Sequence, residues 1–133
     1  MITLPESLRA TLRANAATPD ADPCPVLKLF SPLGAQTWIA TELAEDGDTL
    51  FGLADLGFGC PELGYYSLGE IGKLCLPFGL RIERDTVFVT LFPLSVWADE
   101  ARKAGSIMAA EAALARRLSE PGAFSNPELP PDD

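Results

Sequence analysis

Apolar residues recur at two different periods along the chain, and the switch between them marks helical and extended stretches. Leu4, Leu8, Leu12 and Ala16 recur every fourth residue, one stripe of an amphipathic helix with Arg9 and Arg13 turned outward. Thr3-Leu4-Pro5-Glu6 reads as a capping box with Thr3 as N-cap and Pro5 in the first turn. Pro19, Pro23 and Pro25 then exclude helix over 18–25, which is an extended connection. From there the period falls to two. Residues 26–31 alternate Leu27 and Leu29 against Lys28, and 36–43 carry Trp38, Ile39 and Thr41. Residues 49–56 follow the acidic turn 45–48, and 86–92 set Val87, Val89 and Leu91 against Phe88 and Phe92. The first three strands are joined by short turns and form an antiparallel meander. Both faces of the fourth are apolar, so helices or a partner chain should cover the second face of the sheet.

Helical signals return after the strands. Ser67-Leu-Gly-Glu70 is a second capping box, opening a short helix to about Cys75 that Gly69 and Gly72 weaken. Ser95 caps a later helix carrying Trp97, Ala101, Ala104, Met108, Ala115 and Leu118 on one stripe, and Gly105-Ser106 can split it in two. The stretch 121–133 holds four prolines, three acids and no basic residue, and reads as a disordered tail. The expected fold is therefore α+β. It has an N-terminal helix, a small antiparallel sheet of about four to five strands, a short middle helix and one or two C-terminal helices. Residues 1–120 form a single domain, and 121–133 an acidic, proline-rich tail.

Composition narrows the chemistry. The chain of 133 residues has a net charge of −9, which favours solubility and repels nucleic acid and anionic lipid. The start, MITLPESLRA, lacks the basic and apolar regions of a signal peptide, and no stretch reaches the roughly 20 apolar residues of a membrane span. A cytoplasmic protein is expected. Cys24, Cys60 and Cys75 are odd in number and irregularly spaced, as free thiols in a reducing compartment would be. There is no histidine, which removes Ser-His-Asp and Cys-His catalysis and imidazole metal sites together. Gly64-Tyr-Tyr-Ser-Leu-Gly69 fails as a nucleophile elbow because Tyr65 stands where the first glycine belongs. Gly57-Phe-Gly59 lacks the third glycine of a dinucleotide fingerprint, with Glu62 in its place. No catalytic residue, metal ligand or cofactor is assigned.

Two positive features remain. Between Lys28 and Lys73 there is no basic residue but seven acids: Glu42, Glu45, Asp46, Asp48, Asp55, Glu62 and Glu70. These suit a basic protein partner, solvated loops, or a hard cation held by Asp55, Glu62 and Glu70. The loop 57–66 sets three glycines and a proline among aromatic and acidic residues, and makes Asp55, Phe58, Glu62, Tyr65 and Tyr66 the candidate binding residues. The same residues also suit a structural crossover whose aromatics fill the core.

The stretches PVLKLFSPLGAQTWIATEL, FGLADLGFGCPELGYYSLGEI, RIERD and PLSVWADEARKAG resemble a family of small bacterial proteins of unknown function. That family is encoded on plasmids, phages and integrated elements. The resemblance runs with the first helix up to Gly105, and implies mobile-element company without any catalytic residue to carry over. Three functional readings stand. The first is a non-enzymatic interaction protein engaging a cationic protein such as a nucleic-acid-binding host factor, in its stronger form as a DNA mimic that occupies a DNA-binding groove. The second is a nucleic-acid accessory protein using Arg81, Arg84, Arg102, Lys103, Arg116 and Arg117. The third is a carboxylate-metal hydrolase.

Overall fold

The computed structural model describes residues 2–120, so the expected tail at 121–133 lies outside the described residues. Helix α1 (Glu6–Ala16) forms on the expected stripe, with Leu4 and Leu12 buried and Leu8 packed beside them. Its start corrects the expectation. Pro5 is the N-cap, its carbonyl accepting from the Arg9 N–H at 3.0 Å, and no side chain caps the helix. Proline presets the backbone and has no N–H to satisfy, so the helix begins after it and Thr3 stays outside.

Five strands follow, all antiparallel: β1 (Leu27–Phe30), β2 (Thr37–Leu43), β3 (Thr49–Asp55), β4 (Glu62–Ser67) and β5 (Glu83–Arg84). Their order across the sheet is β4-β3-β2-β1-β5. Residues paired across strands share a face. The pairs Leu27 with Ala40, Leu29 with Trp38 and Leu43 with Leu50 therefore line one side, under α1 and the short helix α2 (Leu68–Gly72). Ile39 with Leu53 lines the other, under α3 (Leu94–Ala104) and α4 (Ile107–Ser119). No helix among the described residues is long and apolar enough to cross a membrane.

Helices do cover the second face, but the segment that suggested it is not a strand. Residues 86–92 make no ladder; the chain leaves β1 after the bond from the Asp85 N–H to the Lys28 carbonyl at 2.9 Å. The alternation there is real. Phe88 and Phe92 pack on the α3–α4 cluster, while Val87, Val89 and Leu91 face outward. Side chains replace the ladder, Asp85 accepting from the Val87 N–H at 3.0 Å and Thr90 from the Phe92 N–H at 3.2 Å.

The helix ends follow local chemistry. Ser67 caps α2 as expected, accepting from the Glu70 N–H at 3.1 Å, but the helix ends at Gly72 and does not reach Cys75. Ser95 is not a cap. The helix α3 starts two residues earlier than that cap would set it, behind Pro93, and Asp22 reaches across to accept from the Ser95 N–H at 3.2 Å and from its hydroxyl. Gly105, at φ 84°, ends α3 in the left-handed conformation, and Ser106 caps α4. That break resets the helical phase. Ile107, Ala110 and Leu114 are buried, and the expected continuation through Met108 and Leu118 lies exposed. All three cysteines are free thiols, and burial, then Asp22, raises the pKa of Cys24.

Gly52 fixes how closely β3 approaches β2. A Cβ there would lie 1.9 Å from the Ile39 carbonyl oxygen, beside the bulge between Ala40 and Glu42. Its partner Gly64 on β4 has nothing within 4 Å of the same position. Gly52→Ala should therefore destabilise the protein by about 3 kcal/mol, whereas Gly64→Ala should cost little. Urea midpoints of the two variants check this, and equal midpoints would contradict the packing.

Candidate functional site

The strand β3 ends at Asp55, whose side chain shapes everything that follows. Asp55 is fully buried. Its Oδ1 accepts from the Gly57 N–H at 2.9 Å, and its Oδ2 from the Ile107 N–H at 2.9 Å. The first bond closes an Asx turn that launches the loop. The second satisfies an N–H that the start of α4 would otherwise leave orphaned, next to Ser106, which accepts from the Ala109 N–H at 3.0 Å. Gly57 and Gly59 sit at φ 91° and 83°, a region costly for any side chain, and between them Phe58 is carried into solvent, 81% exposed.

Beyond Pro61 the expected loop is strand. Residues 62–67 pair along β3, with Glu62 opposite Ala54, Leu63 opposite Leu53, Tyr65 opposite Phe51 and Tyr66 opposite Leu50. Tyr66 turns into the α1 side of the sheet, where its hydroxyl donates to the Ile39 carbonyl at 2.8 Å. Burial there pushes its pKa far above the ordinary phenol range. Tyr65 turns to the other side and stays 75% exposed, its ring 5.0 Å from that of Phe51. Leu63, which the sequence reading passed over, shares that face and is also exposed. Its spacing of two from Tyr65 was the available signal. Glu62 is exposed, on the Tyr66 side of the strand.

The five candidate residues thus divide. Asp55 and Tyr66 make bonds that hold the fold, while Phe58, Glu62 and Tyr65 are open to solvent. The seven acids divide in the same way. Asp46 accepts from the Thr49 hydroxyl at 2.6 Å and from the Thr49 and Asp48 N–H groups at 2.8 and 2.9 Å. These bonds lower its pKa to about 2. Asp48 accepts from the Ser67 hydroxyl at 2.6 Å and the Gly69 N–H at 2.7 Å. Asp55, Glu62 and Glu70 are not brought together, and no group of His, Cys, Asp or Glu among the described residues could hold a metal ion. The C-terminal cations are spread over several elements, and Arg102 and Arg117 pair with Asp99 and Glu100.

Truncating Asp55 leaves the buried Ile107 N–H without its acceptor and removes the bond that closes the Asx turn at Gly57. Asp55→Ala should cost about 3 kcal/mol, more than the roughly 1 kcal/mol expected for the cap variant Ser106→Ala. Asp55→Asn keeps the shape but points a donor at a donor, so it should fall near Asp55→Ala in a denaturant titration. An Asp55→Asn variant as stable as the parent would show that the bonds are not needed.

No curated protein and no solved structure matches the chain. A family model described as Protein of unknown function (DUF2958) matches residues 3–108, from the approach to α1 through the Asp55–Ile107 bond at the head of α4. The chain belongs to this DUF2958 family.

Proposed function

We propose that the protein is a non-enzymatic interaction module that binds the basic surface of another protein along the outer edge of β4. The observation that carries this reading is the edge itself. Among the described residues β4 pairs only with β3, and its six residues present Leu63 and Tyr65 to solvent just beyond the exposed Phe58. Natural sheets usually blunt a long edge with charge, proline or a bulge, because an open edge recruits another strand. This edge instead carries exposed apolar and aromatic groups with a single acid, Glu62. An added strand takes affinity from backbone hydrogen bonds and specificity from alternate side chains. Phe58, Leu63 and Tyr65 supply apolar contacts, and Asp55 and Tyr66 support them from beneath. The net charge of −9 attracts a cationic partner and repels an acidic one, and Glu62 offers it an exposed carboxylate at the edge. A bacterial DNA-binding protein would have the required charge.

The test couples capture with mapping. Proteins retained from a bacterial extract are identified by mass spectrometry, purified and titrated against the parent, Glu62→Lys and Tyr65→Ala. A basic partner should bind each variant about tenfold more weakly at unchanged melting temperature, a loss of about 1.4 kcal/mol. It should also protect β4 amides from hydrogen exchange. Binding that ignores both substitutions, or protection confined to other elements, contradicts the proposal.

A further inference from the structure

Away from the outer edge of β4, the fold gathers basic side chains around a hollow. A cavity of about 410 Å³ lies where α1, the turn between β2 and β3, α2 and the approach to β5 meet. Arg9, Lys73 and Arg81 line it, with Ile2 and Leu68 as apolar wall and Asp48 as its one acid. Three of the chain's ten basic residues therefore meet in one place in a protein of net charge −9. Elsewhere Lys28, Arg102 and Arg117 are paired with acids. Among the described residues, none of the three cavity cations forms an ion pair, and their only side-chain hydrogen bond runs from Arg81 Nη1 to the Gly72 carbonyl at 3.3 Å. Asp48 does not neutralise them by contact, because its oxygens already accept from Ser67 and Gly69. Gly47, at φ 73°, keeps the turn bare beside Arg9: a Cβ there would lie 3.2 Å from Nη2 of that guanidinium.

We propose that this cavity binds a phosphomonoester carried on a small apolar body. Two guanidinium groups offer the forked donors that match phosphate oxygens, and the lysine adds a point charge. Three cations against one carboxylate leave an excess of two positive charges, which complements the charge of about −1.5 to −2 of a phosphomonoester at neutral pH. The apolar wall of Ile2 and Leu68 takes the rest of the molecule, and the volume lies within the roughly 300–1,000 Å³ usual for small-molecule sites. Arg9 lies on α1, whereas Lys73 and Arg81 lie in the connection between α2 and β5, so only the fold brings Arg9 to the other two. The site is independent of the β4 edge, and either can fail without the other.

Calorimetric titration of the whole chain with phenyl phosphate tests the proposal, with phenol and inorganic phosphate as the neutral and body-less controls. Saturable one-to-one binding of phenyl phosphate is expected, with inorganic phosphate weaker and phenol not bound. Arg9→Gln and Arg81→Gln should each weaken it about tenfold, as loss of a charge-assisted contact does. Lys73→Glu reverses an exposed charge that makes no internal bond, so it reads the site without risk to folding and should weaken binding at least as much. Lys103→Gln, on α3 and away from the cavity, should leave it unchanged. Absence of saturable binding, equal binding of phenol, or equal loss in Lys103→Gln overturns the proposal.

Discussion

Asp55 joins the end of β3 to the start of α4, two parts of the molecule that are distant in sequence. Its carboxyl ends β3, turns the chain through Gly57 and takes the first N–H of α4, a residue 52 positions further along. Such a bond stabilises the fold modestly when complete, but leaving the buried Ile107 N–H unpaired costs about 1–3 kcal/mol. The second layer of helices buries Leu94, Trp97, Ile107 and Leu114 with Ala98, Ala101 and Ala110 between them, and such pins fix how that apolar layer is placed. Lys28 adds another, its ammonium 2.9 Å from both carboxyl oxygens of Glu111 on α4. Polar bonds to helix α4 thus set how it lies on the sheet, and with it the frame from which the Phe58 loop projects.

Much of the architecture could be read from periodicity. The meander β1–β3 follows from Leu27, Leu29, Trp38 and Ile39, and the α3–α4 break follows from the glycine and serine at 105 and 106. What escaped has physical causes. Pro61 and Gly64 hid β4, because a strand glycine usually weakens an assignment, and here it is tolerated by facing Gly52 across the ladder. Residues 86–92 have the alternation of a strand without a neighbour to pair with, since β5 leaves β1 after two residues. A period-two pattern reports which side chains turn inward; it does not report whether the backbone finds a partner.

The candidate site was legible in part for the same reason. Composition marked 57–66 as unusual, yet acid and aromatic residues of one loop divide by face once the strand is recognised. Asp55 and Tyr66 could have been assigned inward only by knowing that Ile107 and Ile39 lie beside them. The cavity of Arg9, Lys73 and Arg81 had no local signal at all, as its residues are scattered over seventy positions and converge through the turn at Gly47. The exposed side chains of the β4 edge and the cations of the cavity sit over a framework held by buried polar bonds.

Native-state hydrogen exchange of single amides tests that framework most directly. The first N–H groups of a helix normally exchange quickly, having no partner within the helix. If Asp55 holds α4 to the sheet, the Ile107 amide should exchange only as slowly as the Ile39 and Leu53 amides of the central strands, through global unfolding. An Ile107 amide that exchanges orders of magnitude faster than those would mean that α4 opens independently and that Asp55 does not govern the fold.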